Sequence, residues 1–249
     1  MIAARQIAFG KAAGKKEEPP AYWGLCFTAE EAGSTVAMQA VGSAPAVTLE
    51  TSFDGEIWEP FTVGETTITL PNVGDKVYFR AGEGGNTAMA SSANNYNNFS
   101  IITGRIAASG NIMSLLNGDS PDSIIATHCY SSMFRDCTAL AQAPELPATT
   151  LAGSCYAGMF KNCTALVQAP ELPATTLLRT CYSSMFWNCI NIDCIKCSFK
   201  AFASGGTNNW LSGVSSTGTF ICPTALGTNE TIQRGISYCP EGWTVINKD

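Results

Sequence analysis

One segment of the chain is repeated, and this repeat restricts the possible folds more than any other feature. Its copies begin at Cys129, Cys155 and Cys181, which sets a period of 26 residues. A fixed period of this length is typical of a solenoid, whose units bury their apolar faces on one another. Four further columns of identical residues line up in this register: Tyr130, Tyr156 and Tyr182; Met133, Met159 and Met185; Phe134, Phe160 and Phe186; Cys137, Cys163 and Cys189.

The sequence of these copies resembles a known family. Met-Phe-x-x-Cys-Thr-Ala-Leu followed by Ala-Pro-Glu-Leu-Pro-Ala-Thr-Thr-Leu is similar to the BspA-like leucine-rich repeats of surface proteins of gut Bacteroidetes and of phages of that niche. The resemblance covers about residues 99–245, because GRIAASGNIMSLLNGD resembles the family's lead-in and NWLSGVSSTGTFICP its closing segment. It implies a leucine-rich-repeat fold and a cell-surface or bacteriophage setting.

The repeats depart from a plain leucine-rich unit at the strand position. The first two copies read Ala-Pro-Glu-Leu there, starting at Ala143 and Ala169. Because proline cannot donate to a β-ladder, we expect short strands and sparse hydrogen bonding between coils on this side. The third copy replaces the motif by Ile-Asn-Ile-Asp-Cys-Ile-Lys-Cys at 190–197, so we expect it to lose the strand and adapt to a cap.

The residues before the repeat show the alternation of β-strands. About six short segments between residues 21 and 116 alternate apolar and polar side chains between Gly, Asn, Asp and Pro turns, which indicates a β-sandwich or half-open barrel. Asp54-Gly55 predicts a hairpin with a type I′ turn, because both residues tolerate positive φ. We therefore predict a mainly β protein: a tail at 1–20, a β-sandwich-like domain at 21–116, a leucine-rich-repeat solenoid at 117–200 and a C-terminal capping segment at 201–249.

The chain has eleven cysteines, and most of them fall in the repeat. Equivalent residues of stacked coils lie about 5 Å apart, so the repeated cysteines are predicted to form reduced columns inside the stack, where cysteine acts as a small hydrophobe. The spacing of Cys194 and Cys197 is that of zinc ligands, but Cys222 and Cys239 are the only other candidates for the missing two. No metal and no cofactor are predicted, and a metal at Cys194 and Cys197 stays an alternative.

The composition argues against an enzyme and against a nucleic-acid partner. His128 is the only histidine, and in the repeat register it shares a position with Ser154 and Thr180, which indicates an exposed residue and not a catalytic base. No phosphate-binding loop is present. Charged residues are only 14% of the chain and its net charge is −6, whereas phosphate-backbone binding needs a basic surface.

The N-terminal segment predicts an attachment peptide. Its longest apolar run, at residues 7–9, is too short for a signal peptide, and no stretch is long enough to span a membrane. We therefore expect folding in a reducing cytoplasm. Residues 1–20 contain three large apolar side chains, Ile2, Ile7 and Phe9, which are too few to fold alone but are suited to docking on a partner.

The expected function is binding at a surface. Repeat stacks present columns of equivalent side chains as an extended face, and the candidate ligand-binding residues are Gln142, Glu145, Gln168 and Glu171, with Tyr96 and Trp210 in Asn- and Gly-rich loops. One hypothesis is a phage virion or tail-associated protein that contacts a host-surface glycan or protein and is attached to virion or tail proteins through residues 1–20. The alternative is a bacterial cell-surface adhesin of the same repeat family. A homo-oligomer is compatible with either.

Overall fold

The described part of the chain is mainly β, which confirms the predicted fold class. The structure, a computed structural model, describes residues 5–7 (backbone only), 24–100, 103–116, 123–124, 126–202 and 205–248. Two short 3-10 helices, Ile112–Leu115 and Thr224–Leu226, accompany the strands. The strands are β1 (Arg5–Ile7), β2 (Leu25–Ala29), β3 (Ser34–Val41), β4 (Leu49–Ser52), β5 (Glu59–Phe61), β6 (Thr66–Leu70), β7 (Lys76–Ala81), β8 (Ala90–Ser92), β9 (Asn95–Ser100), β10 (Ile106–Ser109), β11 (Leu140–Gln142), β12 (Cys194–Lys196), β13 (Thr219–Cys222) and β14 (Thr244–Asn247).

Two sheets make up the β-rich part before the repeat. One has the strand order β1-β6-β3-β9-β8, and the other has the order β11-β10-β2-β7-β4-β5. In β6, Ile68 and Leu70 are fully buried while the threonines between them are half exposed, as expected of a strand with one face on a core. The two sheets are in contact through buried rings, since the Phe99 ring of β9 lies 4.9 Å from the Phe27 ring of β2.

The hairpin predicted at Asp54-Gly55 forms, but its turn is longer than expected. β4 and β5 pair in antiparallel fashion and are connected by residues 53–58. Gly55 has a φ of 80°, whereas Asp54 does not have positive φ, so the turn is not of type I′. Instead, Oδ1 of Asp54 accepts hydrogen bonds from the backbone N–H groups of Glu56 and Ile57, both at 2.8 Å. These bonds hold the pKa of Asp54 below its ordinary value.

Three residues of the N-terminal segment belong to a sheet. The backbone of β1 pairs in parallel with β6, with Ile7 opposite Ile68. This differs from the expectation that all of residues 1–20 stand apart from the domains. The predicted attachment residues Ile2 and Phe9 lie outside the described residues.

From residue 128 onwards the chain winds into coils that stack on one another, which we call the repeat stack. In the turn segments of coil 1 (128–153), coil 2 (154–179), coil 3 (180–202) and coil 4 (from 205), every fourth residue has positive φ. These left-handed positions are His128, Ser132, Asp136; Ser154, Gly158, Asn162; Thr180, Ser184, Asn188; and Gly205, Asn209, Gly213. The left-handed region is costly for residues other than glycine, asparagine and aspartate, so the surrounding hydrogen bonds must hold it.

Those hydrogen bonds alternate along each turn segment. Odd-numbered residues of coil 1 donate within the coil, as Met133 N–H does to the carbonyl of Tyr130. Even-numbered residues donate to the next coil, as Phe134 N–H does to Met159 at 2.9 Å. The same pattern links coil 2 to coil 3 and coil 3 to coil 4, where Phe186 N–H donates to Trp210 at 2.9 Å. The stack therefore continues past residue 200, further than the sequence repeat indicates.

The first coil joins the β-rich part without a break. The N–H of Phe99 in β9 donates to the carbonyl of Met133 at 2.8 Å, and the Phe99 ring stacks on Phe134 at 5.5 Å. The phenylalanine column continues through Phe160 and Phe186 with rings 5.4 and 5.7 Å apart. All four rings are completely buried, which confirms the predicted direction of this column. One core thus runs through both parts.

On the strand side of the stack the outcome is the reverse of the expectation for the third copy. The segment after Ile192, which lacks the proline motif, forms β12, and β12, β13 and β14 make a parallel three-stranded sheet. Coils 1 and 2 keep the motif, and among the described residues no backbone hydrogen bond joins 140–148 to 166–174. The missing N–H groups of the prolines explain the difference, because a ladder forms only where donors are present.

Arg234 closes the far end of the stack. Its guanidinium donates to the carbonyl oxygens of Trp243 (2.7 Å), Pro240 (3.1 Å) and Asn229 (3.2 Å), and to Oδ1 of Asn229 (3.0 Å). The same Oδ1 atom accepts from the N–H of Val245 in the last strand. Within the described residues no helix is long and apolar enough to cross a membrane.

Candidate functional site

The predicted binding residues of the repeats lie around two adjoining cavities on the strand side of coils 1 and 2. One cavity, of about 440 Å³, is lined by residues 143–147 together with Pro170, Glu171 and Pro173. The second, of about 470 Å³, is lined by Gln142, Gln168 and their neighbours, and by Glu30 and Arg105 of the β-rich part. Both cavities are lined by Ala143 and Pro170, so we treat them as one cleft, the proline cleft.

The proline cleft opens where the two coils fail to pair. Pro144 and Pro147 of coil 1, and Pro170 and Pro173 of coil 2, have no N–H to donate, and all four line the cleft. The wall therefore consists of proline rings and of carbonyl groups that have no backbone donor from the facing coil. Such a wall offers apolar surface and acceptors and few donors.

The charges of the cleft come from one column of equivalent residues and one ion pair. Glu145, Glu171 and Lys196 occupy equivalent positions of coils 1, 2 and 3, and Nζ of Lys196 lies 2.9 Å from Oε2 of Glu171. No ion pair of Glu145 occurs among the described residues, and its side chain is exposed. At the other end of the cleft, Arg105 binds Glu30 with an N–O distance of 2.7 Å. Lining carboxylates thus outnumber cations.

The two predicted aromatic residues lie away from this cleft and are buried. Trp210 has 0% exposure, its Nε1 donates to the carbonyl of Tyr238, and it packs on Phe186 in the core. Tyr96 is 8% exposed and pairs with Val41 and Ala90 in the first sheet. Neither ring is presented to solvent, so the prediction that these loops offer aromatic contacts is wrong. Their Asn- and Gly-rich surroundings reflect turn formation instead.

Sequence reasoning missed the residues that complete the cleft. Glu30 and Arg105 lie far from the repeat in sequence and reach it only because β10 pairs with both β2 and β11. Lys196 could have been found by extending the repeat register into the third copy. That register had been abandoned there because the Ala-Pro-Glu-Leu motif ends.

The repeated cysteines are structural in the way that the sequence predicts. All eleven cysteines are free thiols. The Sγ atoms of Cys137, Cys163 and Cys189 lie 2.6, 3.0 and 2.9 Å from the carbonyl oxygens of Phe99, Phe134 and Phe160 of the preceding layer. Burial raises the pKa of Cys189 to about 12 and that of Cys163 well above its ordinary value. Each thiol thus stays protonated, fills a small space and donates a weak hydrogen bond.

Cys194 and Cys197 do not form a common site. Both lie in extended backbone at β12, where residues three apart point to opposite faces. Cys194 is half-buried, whereas Cys197 is buried. Among the described residues no group of three or more histidine, cysteine, aspartate or glutamate side chains could hold a metal ion.

His128 occupies the position that the repeat register predicts. It is left-handed with a φ of 59°, like Ser154 and Thr180 at 57° and 56°. It is half-buried and not exposed, and within the described part of the chain its Nδ1 has no hydrogen-bond partner.

Thiol reactivity gives a direct test of the cysteine columns. Under native, non-reducing conditions we expect an alkylating reagent to modify Cys194 first, because the other ten thiols are buried and only the thiolate reacts. After denaturation without reductant, mass spectrometry should find all eleven alkylated. Several thiols that react only after reduction would mean disulfides, and would contradict both the columns and folding in a reducing compartment.

Comparison of the chain with protein-family models, with curated proteins and with solved structures found no match.

Proposed function

We propose that this chain is a non-enzymatic binding protein that presents the proline cleft to a host-surface ligand, most simply as a virion or tail-associated protein of a bacteriophage. The observation that carries the proposal is the convergence of Gln142, Glu145, Gln168 and Glu171 on one cleft. Equivalent side chains repeated along a stack are the usual binding surface of repeat proteins.

The proposed architecture is a β-sandwich-like domain that leads into a short BspA-like leucine-rich-repeat solenoid with a C-terminal cap. The alternation of hydrogen bonds within and between coils supports the solenoid. The two contacting sheets support the sandwich. Arg234 and its carbonyl partners support the cap.

The virion setting rests on the sequence resemblance to phage and Bacteroidetes surface repeats and on the reduced thiols, which suit a protein that folds in a host cytoplasm before assembly. A bacterial cell-surface adhesin is the competing proposal. Genes for tail, capsid or portal proteins beside this one would favour the virion, and an outer-membrane operon would favour the adhesin.

Removal of residues 1–20 is expected to abolish incorporation into virions while the globular part stays folded. The physical reason is that the apolar groups of this segment are available to a partner, apart from the short pairing of β1 with β6. Incorporation is measured by quantitative mass spectrometry of purified particles from cells that express the truncated or the full chain.

A second variant separates attachment from sheet formation. Replacing residues 11–20 by a Gly-Ser sequence of equal length keeps β1, and it should also reduce incorporation if the segment docks on the particle. Wild-type copy numbers for both variants would refute the attachment role.

A further inference from the structure

We infer that the proline cleft binds a guanidinium or ammonium group carried by an extended, basic segment of a partner protein, with Glu145 as the carboxylate that receives it. This inference rests on the proposed function only in taking the cleft as the ligand-binding face. It adds the chemical class of the ligand.

The first argument is a cation that the stack itself places in the column. Coils 1, 2 and 3 carry Glu145, Glu171 and Lys196 at equivalent positions, and the Lys196 ammonium binds Glu171 at 2.9 Å. Glu171 therefore has a cation from the next coil. Glu145 has a second carboxylate there, about one strand spacing away. A cation from a ligand would reduce this repulsion and repeat the contact that Lys196 makes.

The second argument is the balance of donors and acceptors. The prolines of the cleft wall remove N–H donors, while the wall carbonyls and the carboxylates of Glu145 and Glu171 are acceptors. Of the two basic side chains at the cleft, Arg105 and Lys196, each already binds a glutamate. A ligand that supplies several N–H groups is therefore favoured. The proline rings can cover the aliphatic stem of a lysine or arginine side chain.

The third argument favours an extended polypeptide over a neutral glycan. The cleft is elongated, because its two cavities share Ala143 and Pro170 and run between two extended backbone segments. Gln142 and Gln168 are exposed along it, and their amides can both donate to and accept from a peptide backbone. No aromatic ring lines either cavity, whereas sugar rings commonly stack on aromatic faces.

The test uses the full chain and a pair of end-blocked fluorescent peptides. One is a Ser-Arg repeat, and the other is the same peptide with citrulline, which has the shape of arginine without its charge. In fluorescence anisotropy the arginine peptide is expected to bind at least about tenfold more tightly, since charge-assisted hydrogen bonds are lost with citrulline. Equal affinities for the two peptides, or no binding of the arginine peptide, would overturn the inference.

Three variants locate the contact. Glu145→Gln should weaken binding of the arginine peptide about tenfold, whereas Glu65→Gln removes the same charge from an exposed loop of the β-rich part and should change it by less than about twofold. Lys196→Met should strengthen binding, because it releases Glu171 for the ligand. If Glu145→Gln and Glu65→Gln have equal effects, or if Lys196→Met weakens binding, the assigned contact is wrong.

The outcome also separates this inference from the proposed function. A neutral glycan whose binding is lost in Glu145→Gln, with no peptide binding, would retain the cleft as a ligand site and refute the cationic ligand. Charge-dependent peptide binding in a protein that does not enter virions would retain the cationic ligand and refute the virion role.

Discussion

Replacement of Phe160 by alanine is expected to lower the free energy of unfolding by about 3–5 kcal/mol. Phe160 is completely buried in the middle of the phenylalanine column, nearly parallel to Phe134 at 5.4 Å and to Phe186 at 5.7 Å. Alanine would leave a cavity between two rings that the hydrogen bonds of the adjacent coils hold in place, so the site cannot collapse to fill it.

Urea denaturation followed by circular dichroism measures this change. Ile190→Ala in coil 3 is the control, because Ile190 is 51% exposed and its loss should cost less than about 1 kcal/mol. Since Phe99 and Phe134 continue the column into the β-rich part, Phe160→Ala should shift a single transition of the whole protein. A cost near that of Ile190→Ala would contradict the burial of this column.

The sequence was sufficient to predict the columns of the repeat stack, because identical residues at a fixed spacing must occupy equivalent places. It was insufficient beyond coil 3. In coil 4 the left-handed positions are Gly205, Asn209 and Gly213, at a spacing of four residues, but the column residues differ and the coils are offset by 25 and not 26 residues. The usable signal was the recurrence of residues that tolerate positive φ and not the recurrence of a motif.

The strand side shows the opposite error. The third copy was expected to lose its strand because it lacks the Ala-Pro-Glu-Leu motif, and yet this copy forms β12. Hydrogen-bond donors decide pairing, and Cys194, Ile195 and Lys196 all have them. The same physical rule correctly predicts sparse pairing at Pro144 and Pro170, which is what opens the candidate site.

Two parts of the candidate site depended on tertiary structure. Glu30 and Arg105 reach the cleft through strand pairing between segments that are distant in sequence, and no local pattern reports such pairing. Trp210 illustrates the reverse case. A tryptophan in a Gly- and Asn-rich loop suggested a recognition loop, but Trp210 fills the apolar core where Phe186 and Phe220 end, because coil 4 needs a large side chain there.

Replacement of Arg234 by methionine is expected to lower the free energy of unfolding by about 2–4 kcal/mol and to loosen the end of the stack before the rest. The guanidinium holds the carbonyl groups of Asn229, Pro240 and Trp243 together, and methionine would leave these acceptors without their donor. Because each coil contacts only its neighbours, the loss should act first on the last strand, β14, and on its partner β13.

Hydrogen exchange with peptide-level mass spectrometry distinguishes this local effect from global destabilisation. In Arg234→Met the amides of 219–222 and 244–247 should exchange faster, while those of β2 and β7 should keep their protection. Arg179→Met removes an arginine that is exposed on coil 2, and neither region should change. Arg234→Lys keeps the charge but cannot span the same acceptors, so it should resemble methionine more than wild type. If lysine restores full protection, charge alone holds the cap, and the hydrogen-bonded geometry of the guanidinium is not what closes the stack.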